Sequence, residues 1–284
     1  MKVRALVVAS QGKLRDCGIE NPTRDARLML ANCLGVEVHR LNLLDDSFPS
    51  EDELSKFWIM VDERCNRKPV SKIIGYRAFW GRNFEVNEDV LDPRGDTETL
   101  VEVVLKKKFK TMLELGTGSG AIAITVLAER FDATCVATDI SRLALETAAR
   151  NSKIYGVQNR LKLLQSDWFS KISGRFDIIV SNPPYISAKE YSELADEVVD
   201  YDPKISLTPG GDGLDSYRQI ISNASEKLRK NGQLVLEIGY LQAGPVKKLL
   251  DGAGFSKIRV HKDLGSRDRV ISAQAADELS LIHI

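Results

Sequence analysis

The segment Met112-Leu113-Glu114-Leu115-Gly116-Thr117-Gly118-Ser119-Gly120 decides the fold of this 284-residue chain. Its first four residues read as a short buried strand, and its three alternate glycines lead into a helical pattern over residues 121–130. Glycines let a backbone pass close to a ligand, and the helix that follows offers free N–H groups at its N-terminus. The spacing is neither the G-x-G-x-x-G of a dinucleotide site nor the G-x-x-x-x-G-K-[ST] of a P-loop. The segment therefore predicts a strand, a ligand-binding loop and a helix.

Strands and helices alternate on both sides of this segment. We expect strands at residues 112–115, 134–138, 161–164, 176–181, 234–238, 257–260 and 269–273. We expect helices at residues 97–108, 121–130, 142–155, 214–228 and 243–250, the helix before residue 234 being stopped by Asn231-Gly232. This alternation predicts an α/β fold, with a doubly wound, mostly parallel sheet and helices on both faces.

The first 75 residues have a different pattern and are predicted to be helical. Ser50-Glu51-Asp52-Glu53 reads as a capping box that opens one of these helices. Residues 77–86 then read as a β-hairpin around Gly81-Arg82. We therefore expect a helical domain at 1–75, a hairpin linker at 76–94, the α/β domain at 95–276 and a tail at 277–284.

Composition and charge bound the function classes. Lys plus Arg number 40 and Asp plus Glu number 40, so the net charge is zero, whereas proteins that bind many phosphates usually carry a basic excess. No apolar run approaches the ~20 residues of a membrane span, and no signal peptide is evident, so we expect a soluble cytoplasmic protein. The cysteines are scattered, without metal-ligand spacing, and predict reduced structural thiols and no metal site: Cys17, Cys33, Cys65 and Cys135.

Acidic residues follow the next two predicted strands. Asp139 lies 23 residues after Gly116, where a carboxylate can accept hydrogen bonds from ribose hydroxyls. Asp167-Trp168 can bond an adenine edge and cover its face, or alternatively form a capped helix start with a buried aromatic. A ligand with an adenosine end and no long phosphate chain fits best, namely S-adenosylmethionine, with S-adenosylhomocysteine as product. The predicted cofactor-binding residues are Glu114, Gly116, Thr117, Gly118, Ser119, Gly120, Asp139, Asp167, Trp168 and Asn182.

The tetrapeptide Asn182-Pro183-Pro184-Tyr185 follows another predicted strand. Two prolines cannot continue a sheet ladder, and the first pushes Asn182 toward an extended backbone. The result is a stiff loop that presents an amide, a free backbone carbonyl and an aromatic ring, which together suit a planar group carrying an NH2. We expect all four residues to bind the substrate, with Asn182, Pro183 and Tyr185 acting in catalysis. The structural alternative is a rigid turn with a capping asparagine.

These motifs together resemble the class I methyltransferases, and the wider pattern resembles one family, the release-factor glutamine methyltransferases (PrmC/HemK family). The further segments that carry the resemblance are Asp25–Leu28, Phe79-Trp80-Gly81, Asp92-Pro93-Arg94, Thr97-Glu98, Ser181–Ile186, Gly210–Leu214, Leu236–Tyr240 and Asp268–Val270. The resemblance covers roughly residues 20–275, with one departure: Gly95 stands where the family usually has proline. It implies a class I methyltransferase fold and methyl transfer from S-adenosylmethionine to the side-chain nitrogen (N5) of a glutamine. That glutamine belongs to the Gly-Gly-Gln motif of class 1 peptide chain release factors, the expected protein partners.

Two other functions stay open from the residues alone. The same tetrapeptide could hold the exocyclic amino group of a flipped adenine in an N6-adenine methyltransferase acting on DNA or RNA. The chain could also be a non-catalytic cofactor-binding scaffold whose helical domain docks a partner. The balanced charge argues against the first, so we expect no stable nucleic-acid binding and no membrane partner.

Overall fold

The computed structural model describes residues 1–275, which fall into two compact units. One unit combines Met1–Tyr76 with Ala195–Tyr201, and the other combines Arg77–Leu194 with the chain from Asp202 onward. The chain therefore passes between the units three times. The predicted tail at 277–284 lies outside the described residues.

The first unit is built from helices, as the sequence predicts. They are α1 (Val3–Asp16), α2 (Pro22–Cys33), a 3₁₀ helix (Val38–Leu44), α3 (Glu51–Cys65) and α4 (Val70–Ile74). Ser50 and Glu53 form the predicted capping box at the start of α3, which satisfies orphan N–H groups of its first turn. The apolar stripes of these helices meet in one core that includes Leu6, Met29 and Phe57. Among residues 1–275, no helix has both the length and the apolar character needed to cross a membrane.

The segment Ala195–Tyr201 completes this first unit through polar contacts. The Arg64 guanidinium bonds Asp25 at 2.8 Å, with both side chains only 9% exposed, and it contacts Glu197 at 3.1 Å. The Tyr201 hydroxyl donates to the backbone carbonyl of Asn66. Removing one partner of a buried ion pair such as Arg64–Asp25 costs roughly 3–5 kcal/mol, and Glu197 joins the segment to the same guanidinium.

The cysteines of the first unit depart from the expectation. Cys17 and Cys65 form a disulfide with their Cα atoms 5.4 Å apart, whereas Cys33 and Cys135 are free. The prediction of four reduced thiols is wrong for this pair. The two cysteines are 48 residues apart, and only the packing of α1 beside α3 brings their positions together.

The predicted hairpin is present as β1 (Tyr76–Phe79) and β2 (Arg82–Glu85). Trp80 and Gly81 at its turn have φ of 51° and 69°, and two successive left-handed residues are typical of a tight two-residue hairpin. The backbone N–H of Trp80 donates to the Glu98 carboxylate at 2.7 Å, which offsets the cost of a tryptophan in the left-handed region.

A seven-stranded sheet forms the centre of the second unit. Its strands are β3 (Thr111–Leu115), β4 (Thr134–Asp139), β5 (Leu161–Gln165), β6 (Phe176–Ser181), β7 (Leu228–Glu237), β8 (Ser256–Lys262) and β9 (Asp268–Gln274). They lie in the order β5-β4-β3-β6-β7-β9-β8. The first five are parallel, and β9 runs antiparallel to both β7 and β8. The predicted mostly parallel sheet is confirmed.

Helices cover both faces of this sheet. The longer ones are α5 (Glu98–Leu105), α6 (Ala121–Glu129), α7 (Arg142–Ile154), α11 (Asp215–Lys227) and α12 (Ala243–Gly252). Separate apolar clusters fill the two faces, one containing Met112 and Ile124 and the other containing Leu113 and Tyr217. Alternate residues of β3 thus enter opposite cores, as a strand with helices on both faces requires.

The chain after Tyr185 contains short helices that the sequence analysis did not predict. They are α8 (Ala188–Tyr191), α9 (Asp196–Tyr201) and α10 (Lys204–Leu207). A second difference lies before β7, which begins at Leu228, directly after α11. Asn231-Gly232 therefore lies inside the strand, with Asn231 at φ 62°, and is not the helix stop that we expected.

Candidate active site

The glycine loop leaves the carboxyl end of β3 and enters α6 through three left-handed residues. Gly116, Gly118 and Gly120 have φ of 70°, 54° and 81°, a region that L side chains rarely adopt. A Cβ added at Gly116 or Gly118 would meet nothing within 4 Å, so these two leave an open backbone cradle. A Cβ at Gly120 would lie 2.7 Å from the Ile124 side chain. The third glycine therefore permits close helix packing and does not line the cavity.

Glu114 supports this loop from behind. Its carboxylate is fully buried and accepts hydrogen bonds from the Thr117 hydroxyl at 2.7 Å and the Ala123 N–H at 3.2 Å. Burial raises the pKa of Glu114 to about 8, and hydrogen bonds from Thr117 and Ala123 oppose that rise. The predicted cofactor residue Glu114 does not line the cavity, and its contacts fix the loop that does.

Asp139 lies at the end of β4 and lines the cavity beside the glycine loop. One of its oxygens accepts from the Gly118 N–H and the other from the Ser141 N–H, both at 2.9 Å. Burial raises the pKa of this carboxyl, while the backbone hydrogen bonds lower it. Each carboxylate oxygen has a second lone pair, so Asp139 can hold the loop and still accept a hydroxyl of a bound ligand.

Asp167 and Trp168 lie after β5 and also line the cavity. Trp168 has φ of 43° and packs its side chain against one of the two apolar clusters of the sheet. No regular helix starts here, contrary to the alternative, because residue 167 lies at a bend and residues 168–171 form a turn. A residue held in a left-handed conformation beside a cavity is a feature often found at functional sites.

The Asn182–Tyr185 loop begins where β6 ends, at the same edge of the sheet. The Asn182 side-chain NH2 donates to the Thr97 hydroxyl at 3.3 Å. The Pro184 carbonyl accepts from Ser216 and the Tyr185 carbonyl accepts from Gln242, both at 2.9 Å. Within residues 1–275, no hydrogen bond to the Pro183 carbonyl is found.

Tyr185 is turned toward a buried polar cluster. Its hydroxyl donates to the Glu237 carboxylate at 3.3 Å, and its ring packs against an apolar cluster of the sheet. Burial, followed by the charge of Glu237, raises the pKa of Tyr185. The Arg269 guanidinium completes the cluster through ion pairs with Asp96 at 3.0 Å and Asp263 at 3.2 Å.

The loops that follow β3, β4, β5 and β6 border a cavity of about 360 Å³, and all of the residues that line it belong to the second unit. Its volume falls in the range of small-molecule sites. Thirteen residues were predicted for the site, and nine line the cavity: Gly116, Thr117, Gly118, Ser119, Asp139, Asp167, Trp168, Asn182 and Pro184. The four that do not are Glu114, Gly120, Pro183 and Tyr185. No group of three or more His, Cys, Asp or Glu within residues 1–275 is placed to hold a metal ion.

Two supporting residues were missed by the sequence analysis. Asn151, buried in α7, donates to the Ser119 carbonyl at 2.9 Å and bonds both backbone groups of Glu85 on the hairpin. Gln242 accepts from the Gly239 N–H and donates to the Tyr185 carbonyl. A single polar residue on a helix gives no sequence signal for contacts that depend on how distant elements pack.

Comparison with known proteins agrees with this geometry. The family model for the PrmC N-terminal domain matches residues 6–75, and that for the methyltransferase small domain matches residues 88–214. A release factor glutamine methyltransferase of Cereibacter sphaeroides is 46% identical over 96% of this chain and 99% of its own length. One from Agrobacterium fabrum is 38% identical over 95% of this chain and 96% of its own length. The chain belongs to the release factor glutamine methyltransferase family.

The fold of this methyltransferase is also found in solved structures. A methyltransferase from Pyrococcus furiosus aligns with a TM-score of 0.53 at 17% identity, covering 80% of this chain and all of that one. At that identity the likeness concerns the fold alone. It supports the class I methyltransferase architecture that the sequence predicts.

The cofactor of this methyltransferase is S-adenosylmethionine, and the cavity fits it. The open cradle at Gly116 and Gly118 accommodates a chain that passes close to the backbone. Asp139 and Asp167 supply acceptors for hydroxyl and amino groups, and Trp168 supplies an aromatic wall. We propose that Asp139 binds the ribose of the cofactor and that Asp167 and Trp168 lie beside its adenine.

Proposed function

We propose that this protein methylates the N5 side-chain nitrogen of the glutamine in the Gly-Gly-Gln motif of class 1 peptide chain release factors. Its relatives named release factor glutamine methyltransferase support a release-factor glutamine as the substrate. The observation that carries the proposal is the pair of acceptors at the Asn182 loop. The Asn182 side chain lines the cavity with its NH2 turned to Thr97, and the Pro183 carbonyl has no protein donor among the described residues.

Two acceptors suit a primary amide because such a group carries two N–H donors. Asn182 Oδ1 accepts one and the Pro183 carbonyl accepts the other. Both N–H bonds are then held, and the face of the nitrogen that carries its electron pair is presented to the reacting carbon. Positioning of this kind lowers a barrier by avoiding the loss of orientational freedom in the transition state.

Tyr185 contributes stiffness to this arrangement. Its hydroxyl donates to Glu237 and its carbonyl accepts from Gln242, so two hydrogen bonds anchor the end of the loop. The predicted packing of the Tyr185 ring on the substrate amide stays a prediction, because the ring does not line the cavity.

When bound, S-adenosylmethionine supplies an electrophilic methyl group and leaves as S-adenosylhomocysteine. The site needs no general base for this reaction, and neither histidine nor lysine lines the described cavity. The amide nitrogen becomes positively charged as the C–N bond forms, and the two acceptors stabilise that charge. The extra proton then leaves to water. We also propose that the protein acts in the cytoplasm, where release factors work.

The test is transfer of a labelled methyl group to a purified class 1 release factor. We expect label in the wild-type factor and none in a factor whose Gly-Gly-Gln glutamine is replaced by alanine. Asn182→Ala should lower kcat by roughly 100-fold or more, because an acceptor that orients the nitrogen is lost. Calorimetry of that variant should still show cofactor binding.

Two results would contradict the proposal. One is label in the glutamine-free factor, and the other is turnover by Asn182→Ala that matches the wild-type enzyme. Label in an adenine-containing oligonucleotide, without label in the release factor, would instead support an adenine N6-methyltransferase.

A further inference from the structure

Two segments that carry the family resemblance, Gly210–Leu214 and Leu236–Tyr240, do not line the cavity, yet each places a glycine against the side chain of Gln242. A Cβ added at Gly239 would lie 2.8 Å from Gln242 Oε1, and one added at Gly213 would lie 3.1 Å from Gln242 Nε2. The two glycines therefore leave room for one side-chain amide between them.

Backbone groups on both sides determine which way the Gln242 amide points. Its Oε1 accepts from the Gly239 N–H at 3.0 Å, and its Nε2 donates to the Tyr185 carbonyl at 2.9 Å. A backbone N–H can only donate and a carbonyl can only accept, so the reversed amide would lose both hydrogen bonds. Gln242, which directly precedes α12, thus links the end of β7 to the loop that follows β6.

The Tyr185 carbonyl belongs to a peptide group that is held at both of its polar atoms. The N–H of the same peptide, on Ile186, donates to the Leu207 carbonyl at 3.0 Å. The preceding carbonyl, that of Pro184, accepts from the Ser216 hydroxyl at 2.9 Å. Because a peptide group is planar, these contacts fix the rotation of two consecutive peptides.

Gly213 shows how closely this arrangement is packed. It has φ of 78°, and a Cβ there would lie 2.5 Å from the Tyr185 carbonyl oxygen. That oxygen therefore occupies a space that a side chain at position 213 would fill, and Gln242 supplies its hydrogen-bond donor. The Pro183 carbonyl is then the one carbonyl of residues 183–185 to which no hydrogen bond is found in the described part of the chain.

We propose that Gln242 is a positioning residue that fixes the Tyr185–Ile186 peptide and so leaves the Pro183 carbonyl as the acceptor that this loop offers to the substrate. The inference rests on the proposed function, since it assigns the Pro183 carbonyl to a substrate N–H group. Without the Gln242 donor, the Tyr185 carbonyl becomes a competing acceptor, and the loop can rotate away from the geometry that the reaction needs. A misplacement of about 1 Å can lower a rate about 100-fold.

Gln242→Glu removes the donor and keeps the shape, because a carboxylate can still accept from the Gly239 N–H but cannot donate to the Tyr185 carbonyl. The assay is methyl transfer to a purified release factor. We expect kcat at about pH 8 to fall roughly 10- to 100-fold. The KM for the release factor and the calorimetric affinity for S-adenosylmethionine should change less than about threefold.

The pH profile of Gln242→Glu separates positioning from a general loss of structure. A protonated glutamate regains a donor for the Tyr185 carbonyl, and partial burial raises its pKa above the ordinary value of about 4.3. The ratio of variant to wild-type kcat should therefore rise about fivefold or more between about pH 8 and pH 5.5. The charged and titratable groups nearby are Tyr217 on α11, Glu237 on β7, Arg269 on β9 and Tyr185 itself. They are present in both proteins, so the ratio removes their own titration.

Gly239→Ala tests the same contact from the other side. Gly239 does not have a positive φ, so the added Cβ acts through its 2.8 Å approach to Gln242 Oε1, which displaces the amide. We expect kcat to fall in the wild-type background and to change less than about twofold when Gln242 is already alanine. Gly244→Ala in α12, whose Cβ meets nothing within 4 Å, is the matched control and should keep the wild-type kcat.

A spectroscopic readout is independent of the methyl acceptor. The side-chain amide of Gln242 gives a pair of ¹⁵N–¹H signals that can be assigned by their loss in Gln242→Ala. We expect Gly239→Ala to shift these signals and Gly244→Ala to leave them at the wild-type position.

The outcomes distinguish this inference from the proposed function. If the wild-type enzyme does not methylate the release factor, the proposed function fails, and unshifted Gln242 signals in Gly239→Ala would separately overturn the contact between the two residues. If the wild type is active, either of two results shows that the positioning role is wrong. One is a kcat ratio for Gln242→Glu that does not change with pH, and the other is an equal loss from Gly239→Ala with and without Gln242.

Discussion

Replacing Asn151 by leucine tests whether one buried amide holds the glycine loop to the hairpin. The Asn151 side chain is fully buried in α7. Its oxygen accepts from the Glu85 N–H at 2.8 Å, and its NH2 donates to the Glu85 and Ser119 carbonyls at 3.0 and 2.9 Å. Leucine is of similar size but removes all three hydrogen bonds.

The magnitude follows from those three contacts. Each hydrogen bond contributes about 1 kcal/mol net, and a partner left buried without a substitute costs roughly 1–3 kcal/mol. Ser119 is buried, so its carbonyl has no easy access to water, whereas Glu85 is partly exposed and its groups can be rehydrated. We therefore expect Asn151→Leu to lower the free energy of unfolding by about 3–5 kcal/mol, a large part of the total for a typical domain.

Urea unfolding followed by circular dichroism measures this loss, and calorimetry measures the accompanying change in cofactor affinity. Affinity should fall because the Ser119 carbonyl is a fixed point of the loop that lines the cavity. Lys153→Ala on the exposed face of the same helix is the matched control and should stay within about 0.5 kcal/mol of wild type. A loss below about 1 kcal/mol for Asn151→Leu, with unchanged cofactor affinity, would refute the reasoning.

Three further changes test the glycine loop and its supports. Asp139→Ala removes an acceptor of the Gly118 N–H and a proposed ribose ligand, so we expect roughly 10- to 100-fold weaker cofactor binding by calorimetry; equal affinity would remove Asp139 from that role. Gly120→Ala places a Cβ 2.7 Å from the Ile124 side chain, in a backbone conformation with φ 81°, and should lower the free energy of unfolding in urea by about 2–4 kcal/mol. The control is Gly12→Ala in α1, where the added Cβ meets nothing within 4 Å, so stability should stay the same or rise. Burial raises the pKa of Glu114 from its ordinary value of 4.5 to about 8. The folded state thus keeps a proton that the unfolded state loses. The free energy of unfolding should therefore fall as the pH rises between those two values, by up to about 1.4 kcal/mol per pH unit. Glu114→Gln should make the decrease of stability over this pH range shallower than in the wild-type protein, and an unchanged slope would contradict the assignment.

The parts of the fold that the sequence predicts well are those with a local signal. The strand before Asn182 is bounded as predicted, because an apolar run followed by two prolines leaves few alternatives. The glycine loop and Asp139 lie at one edge of the sheet, as expected for residues that follow two parallel strands, because such strands bring their carboxyl ends together. Short helices such as α8, held by the capping box of Ser187 with Glu190, were missed because four residues give no periodic pattern.

The parts that the sequence could not supply depend on contacts between distant residues. Asn182 and Thr97 are 85 positions apart, and their hydrogen bond exists only because the turn before α5 packs beside the end of β6. The surroundings of the Glu114 and Tyr185 side chains could not be predicted for a related reason. The direction of the Glu114 side chain is set by the pleat of β3, and that of Tyr185, which lies in a loop, is set by packing and by its hydrogen bond to Glu237. Both side chains lie behind the cavity rather than in it.

The three crossings of the chain between its units have a consequence for recombination and proteolysis. Because Ala195–Tyr201 belongs with Met1–Tyr76, a fragment that ends at residue 76 lacks Glu197 and the Tyr201 hydroxyl, two groups that bond to the helical unit. A swap of that unit between relatives must therefore carry two separate segments to stay intact. A protease that nicks the chain once after Tyr76 would likewise release two fragments that each still hold a piece of the first unit.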